Sequence, residues 1–236
     1  NISNICIILN CLKNMSLINT DNNISLILPA YKESKNLHLL LLEISNINII
    51  NTFNIYIIED KSDEQFNLSE FNYNLKIKHI IRTKYPKSIS ASVIDSIDYI
   101  RTKYMLIMDS DLQHNPNDIL KFIKILKENN SDIIIGSRNL ELIYKSMKKH
   151  RVLISKLGCY VCNLFINKKL SDPLTGFFLV KTNHLNKIKN KLHYSGSKIL
   201  FNILLNSQNV KIDEVIIDFR KRQNGKSKFD IYWIFN

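Results

Sequence analysis

Tyr104-Met105-Leu106-Ile107-Met108-Asp109-Ser110-Asp111-Leu112-Gln113-His114 is the stretch that decides the reading of this 236-residue chain. Its first five residues are a continuous apolar run, the pattern of a strand buried on both faces. The run stops at two carboxylates spaced i, i+2. On an extended backbone alternate side chains share a face, so Asp109 and Asp111 are expected to point at one place just beyond the strand. Hard oxygen donors arranged that way suit Mg2+ or Mn2+ held jointly with phosphate oxygens. The competing reading is an Asp-rich turn that merely ends a strand.

Outward from this stretch the chain alternates between strand and helix patterns. Ile24 to Leu28 is an apolar run halted by Pro29, and Glu33 to Ser45 carries Leu37, Leu40, Leu41 and Ile44 at helical spacing. Phe53 to Ile58 and Leu75 to Ile81 read as strands, and Ser90 to Arg101 as a helix. After the central strand come a helix from Pro116 to Asn129 and an apolar run from Asp132 to Ile135 that ends in Gly136-Ser137-Arg138. Strands alternating with helices across short loops predict a mostly parallel α/β sheet flanked by helices, in a single domain. Ligands of such sheets bind beyond the carboxyl ends of the strands. Tyr31, Glu33, Glu59, Asp60, Asp109, Asp111, Gln113 and Arg138 all fall there. The second half is less regular: a helix over 151–165, a turn over 171–176, short strands over 177–180 and 211–219, a helix over 197–207 and a basic loop over 220–229.

Composition narrows the function. Hydrophobic content of 45% and charged content of 23% are globular, and the net charge of +12 favours an anionic partner such as phosphorylated substrates, a membrane surface or nucleic acid. The basic residues are scattered, however, without zinc-finger spacing or an RNA-binding aromatic signature, so nucleic acid is not expected. Cys159 and Cys162 form a C-x-x-C within a helical pattern with no second pair, and read as free thiols. No apolar run reaches the ~18–20 residues that span a bilayer. Residues 1–20 read as an N-terminal extension without a signal-peptide cleavage site, and 230–236, rich in aromatics, as the start of an interfacial helix.

Six ordered motifs now resemble those of the family 2 inverting glycosyltransferases of GT-A fold, in their polyprenyl-phosphate branch. They are Leu28 to Glu33, Ile57 to Ser62, Met108 to His114, Gly136 to Arg138, Asp172 to Phe177 and Arg222 to Lys228. The resemblance implies a domain over 21–229 that transfers a hexose, with mannose from GDP-mannose favoured, to dolichyl or another polyprenyl phosphate. It implies that Pro29, Tyr31, Glu33 and Asp60 bind the donor's base and ribose, and that Asp109, Asp111 and the Gln113 carbonyl hold Mg2+ or Mn2+. Arg222 and Lys228, together with Asp109, would meet the donor's diphosphate, and Arg138 and Arg151 the acceptor phosphate. Asp172, with Arg138, is the implied catalytic pair, orienting the acceptor or stabilising positive charge at the anomeric carbon. Such an enzyme sits peripherally on the cytoplasmic face of a membrane, the endoplasmic reticulum in a eukaryote, through its own surface or a membrane-bound partner.

Two positions depart from the family pattern: Glu59 stands where an Asp is usual, and Ser88 where a glycine is usual. If that glycine serves close backbone approach to the nucleotide, Ser88 is expected to cost affinity. A UDP-sugar donor is the alternative within the same fold. A non-catalytic nucleotide- or nucleic-acid-binding protein is the alternative from another class.

Overall fold

The computed structural model describes residues 23–70, 74–140, 149–166 and 168–221. Among these, seven strands form one sheet: β1 (Ile24–Ala30), β2 (Asn54–Asp60), β3 (Lys76–Arg82), β4 (Tyr104–Ile107), β5 (Ile133–Arg138), β6 (Phe178–Lys181) and β7 (Ile212–Ile217). Their order is β3-β2-β1-β4-β6-β5-β7. Every pairing is parallel except those of β6, which runs antiparallel to both β4 and β5.

Among the described residues six α-helices cover the sheet: α1 (Ser34–Ser45), α2 (Ile89–Ser96), α3 (Ile119–Asn129), α4 (Lys149–Ile166), α5 (Thr182–Ile188) and α6 (Ile199–Leu205). Strand alternation divides the interior into two cores. Leu26, Leu28, Ile55, Ile57 and Leu106 pack under Leu37, Leu41, Phe122 and Ile123 of α1 and α3. Ile27, Ile58, Met105 and Ile107 pack on the other side against Val93 and Ile94 of α2 and Ile199 and Ile203 of α6. All seven residues of β1 are buried, as a central parallel strand covered on both faces requires. The edge strand β3 instead exposes Lys76 and Lys78, charges that blunt pairing with another chain.

The expected alternation and the single mostly parallel sheet are therefore present. Two features were not expected. Helix α5 follows β6 without a connecting loop, and the helix expected to run from Ser90 to Arg101 ends at Ser96 in a 3-10 turn. The N-terminal extension and the aromatic C-terminal segment lie outside the described residues.

The reversal of β6 matters most for function. Because it runs against β4 and β5, the residues entering it, Asp172 to Phe177, arrive at the same sheet edge at which β4 and β5 end. Strand β7, parallel to β5, delivers Phe219 and Arg220 there as well.

Candidate functional site

At the centre of this edge, Ser110 donates its hydroxyl to the carbonyl of Pro29 at 2.7 Å, fastening the loop after β4 to the end of β1. Strand β4 stops at Ile107, and the backbone bends through residues 110–112. The placement of Asp109 and Asp111 therefore does not come from strand alternation; it comes from a turn. The Asp111 carboxylate accepts the Gln113 N–H at 3.1 Å, and Leu112 takes φ +65° with its side chain fully buried. A non-glycine residue held in the left-handed region is costly and persists where its surroundings fix it. The surroundings here include Arg220, whose N–H donates to the Gln113 carbonyl at 2.7 Å, while the Gln113 side-chain amide donates back to the Arg220 carbonyl at 3.4 Å. Arg220 is itself anchored, giving Nη1 to Glu43 of α1 at 2.7 and 3.0 Å and Nη2 to Asn115 at 2.9 Å.

Asp109 lies against Gly176. A Cβ at that position would overlap the Asp109 carboxylate, coming within 2.5 Å of its Cγ and 2.6 Å of its Oδ1, so a larger residue there would force the carboxylate to move. Burial alone would raise the Asp109 carboxyl, but His114, Lys198 and Arg138 nearby more than offset this and hold it below the usual carboxylate range.

Beside it, Asp172 is fully buried and paired with Arg138. Nε and Nη2 of the guanidinium donate to the two carboxylate oxygens at 2.5 and 2.9 Å, and the Arg138 backbone N–H adds a third bond at 3.3 Å. This fork-to-fork geometry is the most directional ion pair available to proteins. The Arg138 guanidinium also lies over the Phe219 ring, 5.1 Å from its centroid. Lys198 completes the group from the start of α6, donating to the Leu174 carbonyl at 3.4 Å. Burial, then Arg138, pushes its ammonium below the usual lysine range, while Asp109 and Asp172 oppose the shift. Lys198 escaped the sequence reading. The available signal was a cation at the N-terminal end of an apolar helix, where the helix dipole disfavours it.

The other end of the edge is organised by a second residue the sequence reading missed. Arg82, buried at the end of β3, donates to Asp60 at 2.7 Å, to Asp95 at 2.6 Å and to the carbonyls of Lys84 and Pro86 at 3.0 and 2.8 Å. Burial raises the Asp60 carboxyl despite the pull of Arg82. Neighbouring strand residues face opposite ways, so Glu59 does not join the strand-end cluster. It is fully buried, accepting the Phe66 N–H at 3.1 and 3.2 Å and pairing with His79 at 2.8 Å. Tyr31 stands half exposed with Lys32 and Lys87 each 5.9 Å from its ring centre, and Glu33 opens α1, accepting from Asn36. Ser88 has φ −161°, ordinary extended backbone, and its hydroxyl caps α2 by accepting the Ala91 N–H at 3.0 Å. The backbone at position 88 therefore has no need of glycine's conformational freedom.

Arg222 and Lys228 lie outside the described residues, and Arg151 is described only as a position in the first turn of α4. Cys159 and Cys162 are free thiols, as expected. Burial raises both, Cys162 to about 11, which leaves little thiolate at neutral pH. Among the described residues no three His, Cys, Asp or Glu side chains form a metal cage by themselves.

Comparison with known proteins turns on this same core. Residues 25–189 match the family model for glycosyl transferase family 2. The chain belongs to that family. Dolichol-phosphate mannosyltransferase of Pyrococcus furiosus is 33% identical over 217 residues, a match covering 90% of this chain and 60% of that protein. Dolichol-phosphate mannosyltransferase of Mycosarcoma maydis is 29% identical over 224 residues, covering 87% and 73% respectively. This family 2 chain thus spans about three-fifths of the archaeal relative's length. Among solved structures, glucosyl-3-phosphoglycerate synthase of Mycobacterium tuberculosis, in complex with Mn2+, UDP and glucosyl-3-phosphoglycerate, superposes with a TM-score of 0.62 at 13% identity. That match covers 86% of this chain and 73% of that one, and shows a shared GT-A fold.

Proposed function

We propose that this chain is an inverting, metal-dependent glycosyltransferase that moves mannose from GDP-mannose to a dolichyl or polyprenyl phosphate. The observation that carries the reading is the row of polar groups along one sheet edge, Asp60, Asp109, Asp111, Gln113, Asp172 and Arg138, in a chain so close to dolichol-phosphate mannosyltransferases. In this reading Pro29, Tyr31, Glu33 and Asp60 take the nucleoside. Arg82 serves by holding Asp60 in place.

The donor set fits Mg2+ or Mn2+. Two carboxylates and the side-chain oxygen of Gln113, whose amide nitrogen is already engaged, are all hard oxygen ligands, and Mg2+ sites characteristically leave positions to water and diphosphate. A cation bound there would neutralise charge on the departing nucleoside diphosphate. Arg222 and Lys228 are proposed to meet the same diphosphate.

A phosphate monoester loses its second proton near ~6, so the acceptor arrives largely as a dianion and needs placement more than deprotonation. Arg138 spends two nitrogens on Asp172, and its Nη1 is the nitrogen proposed to reach the acceptor phosphate, with Arg151 as a further cation. Asp172 fixes the guanidinium's orientation. Lys198 adds positive charge beside both carboxylates.

Donor identity is tested by melting the protein with Mg2+ and each of several GDP- and UDP-sugars. A donor present at 100 times its Kd adds about 2.7 kcal/mol, which in a chain of this size raises Tm by roughly 5–10 °C. GDP-mannose is expected to give that shift. Stabilisation by UDP-sugars alone would remove mannose from GDP-mannose as the donor and leave the fold and site unaffected.

The proposed seat of membrane contact is α4. Leu153, Leu157, Tyr160, Leu164 and Phe165 recur along it at helical spacing and are 59–69% exposed, while no helix among the described residues is long and apolar enough to cross a bilayer. The helix runs beside the acceptor end of the site, with Asn163 bonded to the backbone of Leu170 at 2.9 and 3.0 Å. Such a face lies in the headgroup layer of an anionic membrane, on the cytoplasmic face of the endoplasmic reticulum in a eukaryotic cell. In flotation with anionic liposomes, replacing Leu153, Leu157 and Leu164 by Ser is expected to lower the bound fraction at least tenfold, since each leucine contributes about 1.5–3 kcal/mol of apolar burial. Equal flotation of this variant and the wild type would place the contact elsewhere or on a membrane-bound partner.

A further inference from the structure

We infer that His114 is a positioning residue that fixes the Asp109 carboxylate for metal binding, an inference that rests on the metal-dependent reading above. The His114 ring is buried and held between two aromatic rings, 5.2 Å from the centroid of Phe177 and 5.3 Å from that of Phe219. Its backbone bridges to Phe219. The imidazole is thus packed against a ring on each of two segments, the Asp172–Phe177 turn and the stretch that follows β7.

The ring's nitrogens have unequal surroundings. Nε2 lies 3.6 Å from Asp109 Oδ2, whereas Nδ1 is buried with no protein partner among the described residues. A proton on Nε2 would be directed at the carboxylate. As packing alone this is a poor choice of residue. A phenylalanine would fill the same slot between Phe177 and Phe219 without burying an unpartnered nitrogen. The polar edge is accounted for by what it faces.

Asp109 is then confined from two sides. A Cβ at position 176 would displace its carboxylate, and His114 sets Nε2 3.6 Å from one of its oxygens. Oδ2 is the oxygen that faces His114, and Oδ1 is the one offered to a cation. Metal-binding carboxylates are commonly fixed by such hydrogen bonds, and losing one costs about 10–100-fold in metal affinity. The separation of 3.6 Å is longer than a hydrogen bond, and contacts of this kind shorten when ligand binds.

The test compares His114→Phe, which keeps a ring and removes the donor, with His114→Gln, which keeps an N–H donor near the Nε2 position. Mn2+ binding is followed by electron paramagnetic resonance in the presence of saturating GDP, and thermal unfolding is recorded for each protein. H114F is expected to melt at or above the wild-type temperature yet bind Mn2+ about 10–100-fold more weakly; H114Q is expected to stay within about threefold of the wild type. Should H114F fail to fold, H114M takes its place in the comparison. Wild-type Mn2+ affinity in the donorless variant, or an equal loss in H114Q, overturns the inference and leaves the proposed function standing. A wild-type protein that binds no Mn2+ with either GDP or UDP overturns the metal-dependent reading itself, and this inference with it.

Discussion

Asp109→Asn and Asp111→Asn are each expected to lower the rate of sugar transfer on the order of 10³-fold without unfolding the protein. The size of the effect follows from the proposed role. Charge neutralisation by a bound cation contributes several kcal/mol to the transition state, and about 4 kcal/mol corresponds to three decades in rate. The fold should persist because the substitution is nearly isosteric and keeps the local bonds. At position 111 an amide oxygen can still accept the Gln113 N–H, now made at 3.1 Å. At position 109 the negative charge is lost from beside Gly176, but no volume is added where the two residues lie closest.

Initial rates of mannosyl-lipid formation across a Mn2+ titration provide the measurement, with circular dichroism and melting as controls. Excess Mn2+ should not restore either variant, because what is lost is transition-state stabilisation as well as binding. A D111N protein that transfers sugar within tenfold of the wild-type rate would sink the metal assignment. The competing explanation, an Asp-rich turn that ends a strand, predicts that outcome, since Asn serves such turns as well as Asp.

What was legible in the sequence, and what was not, divides along physical lines. Apolar runs and helical spacing are local, and they located the strands and α1 to within a few residues. The clustered carboxylates were legible for the same reason: Asp109 to Gln113 lies within one turn of chain. Arg82 was not legible as a partner of Asp60, because β2 and β3 must first pair in parallel before residues 22 positions apart meet. Glu59 misled in the opposite way. It adjoins Asp60 in sequence, yet strand alternation sends it into the interior to hold Phe66 and His79. The roles of Gly176, Lys198 and His114 depend on the antiparallel entry of β6 and on β7 returning beside β5. No local pattern encodes either event. Ser88 shows the converse, a departure from a motif at a position where the backbone is extended and the hydroxyl caps a helix, so glycine's conformational freedom is not what the position requires.

Replacing Arg138 by Met is expected to be the most destabilising single change at the site, lowering stability by about 3–5 kcal/mol and Tm by roughly 10 °C or more. The asymmetry of the pair sets the direction. Asp172 is wholly buried, whereas 23% of the Arg138 side chain is exposed. Removing the arginine leaves a carboxylate in the interior with one backbone N–H at 3.3 Å and the charge of Lys198 to oppose its desolvation. Removing the charge of Asp172, as Asn, leaves a guanidinium that still reaches solvent and the face of Phe219, and should cost less. The double variant R138M/D172N should therefore be more stable than R138M alone, a non-additivity of at least ~1 kcal/mol in a double-mutant cycle. Denaturant unfolding of the four proteins measures it, and strictly additive changes would show that the pair is not coupled as the bidentate geometry implies. Activity separates structure from chemistry in the same four proteins. If Arg138 Nη1 receives the acceptor phosphate, transfer remains lost in R138M/D172N even where stability returns, because methionine offers the phosphate no donor.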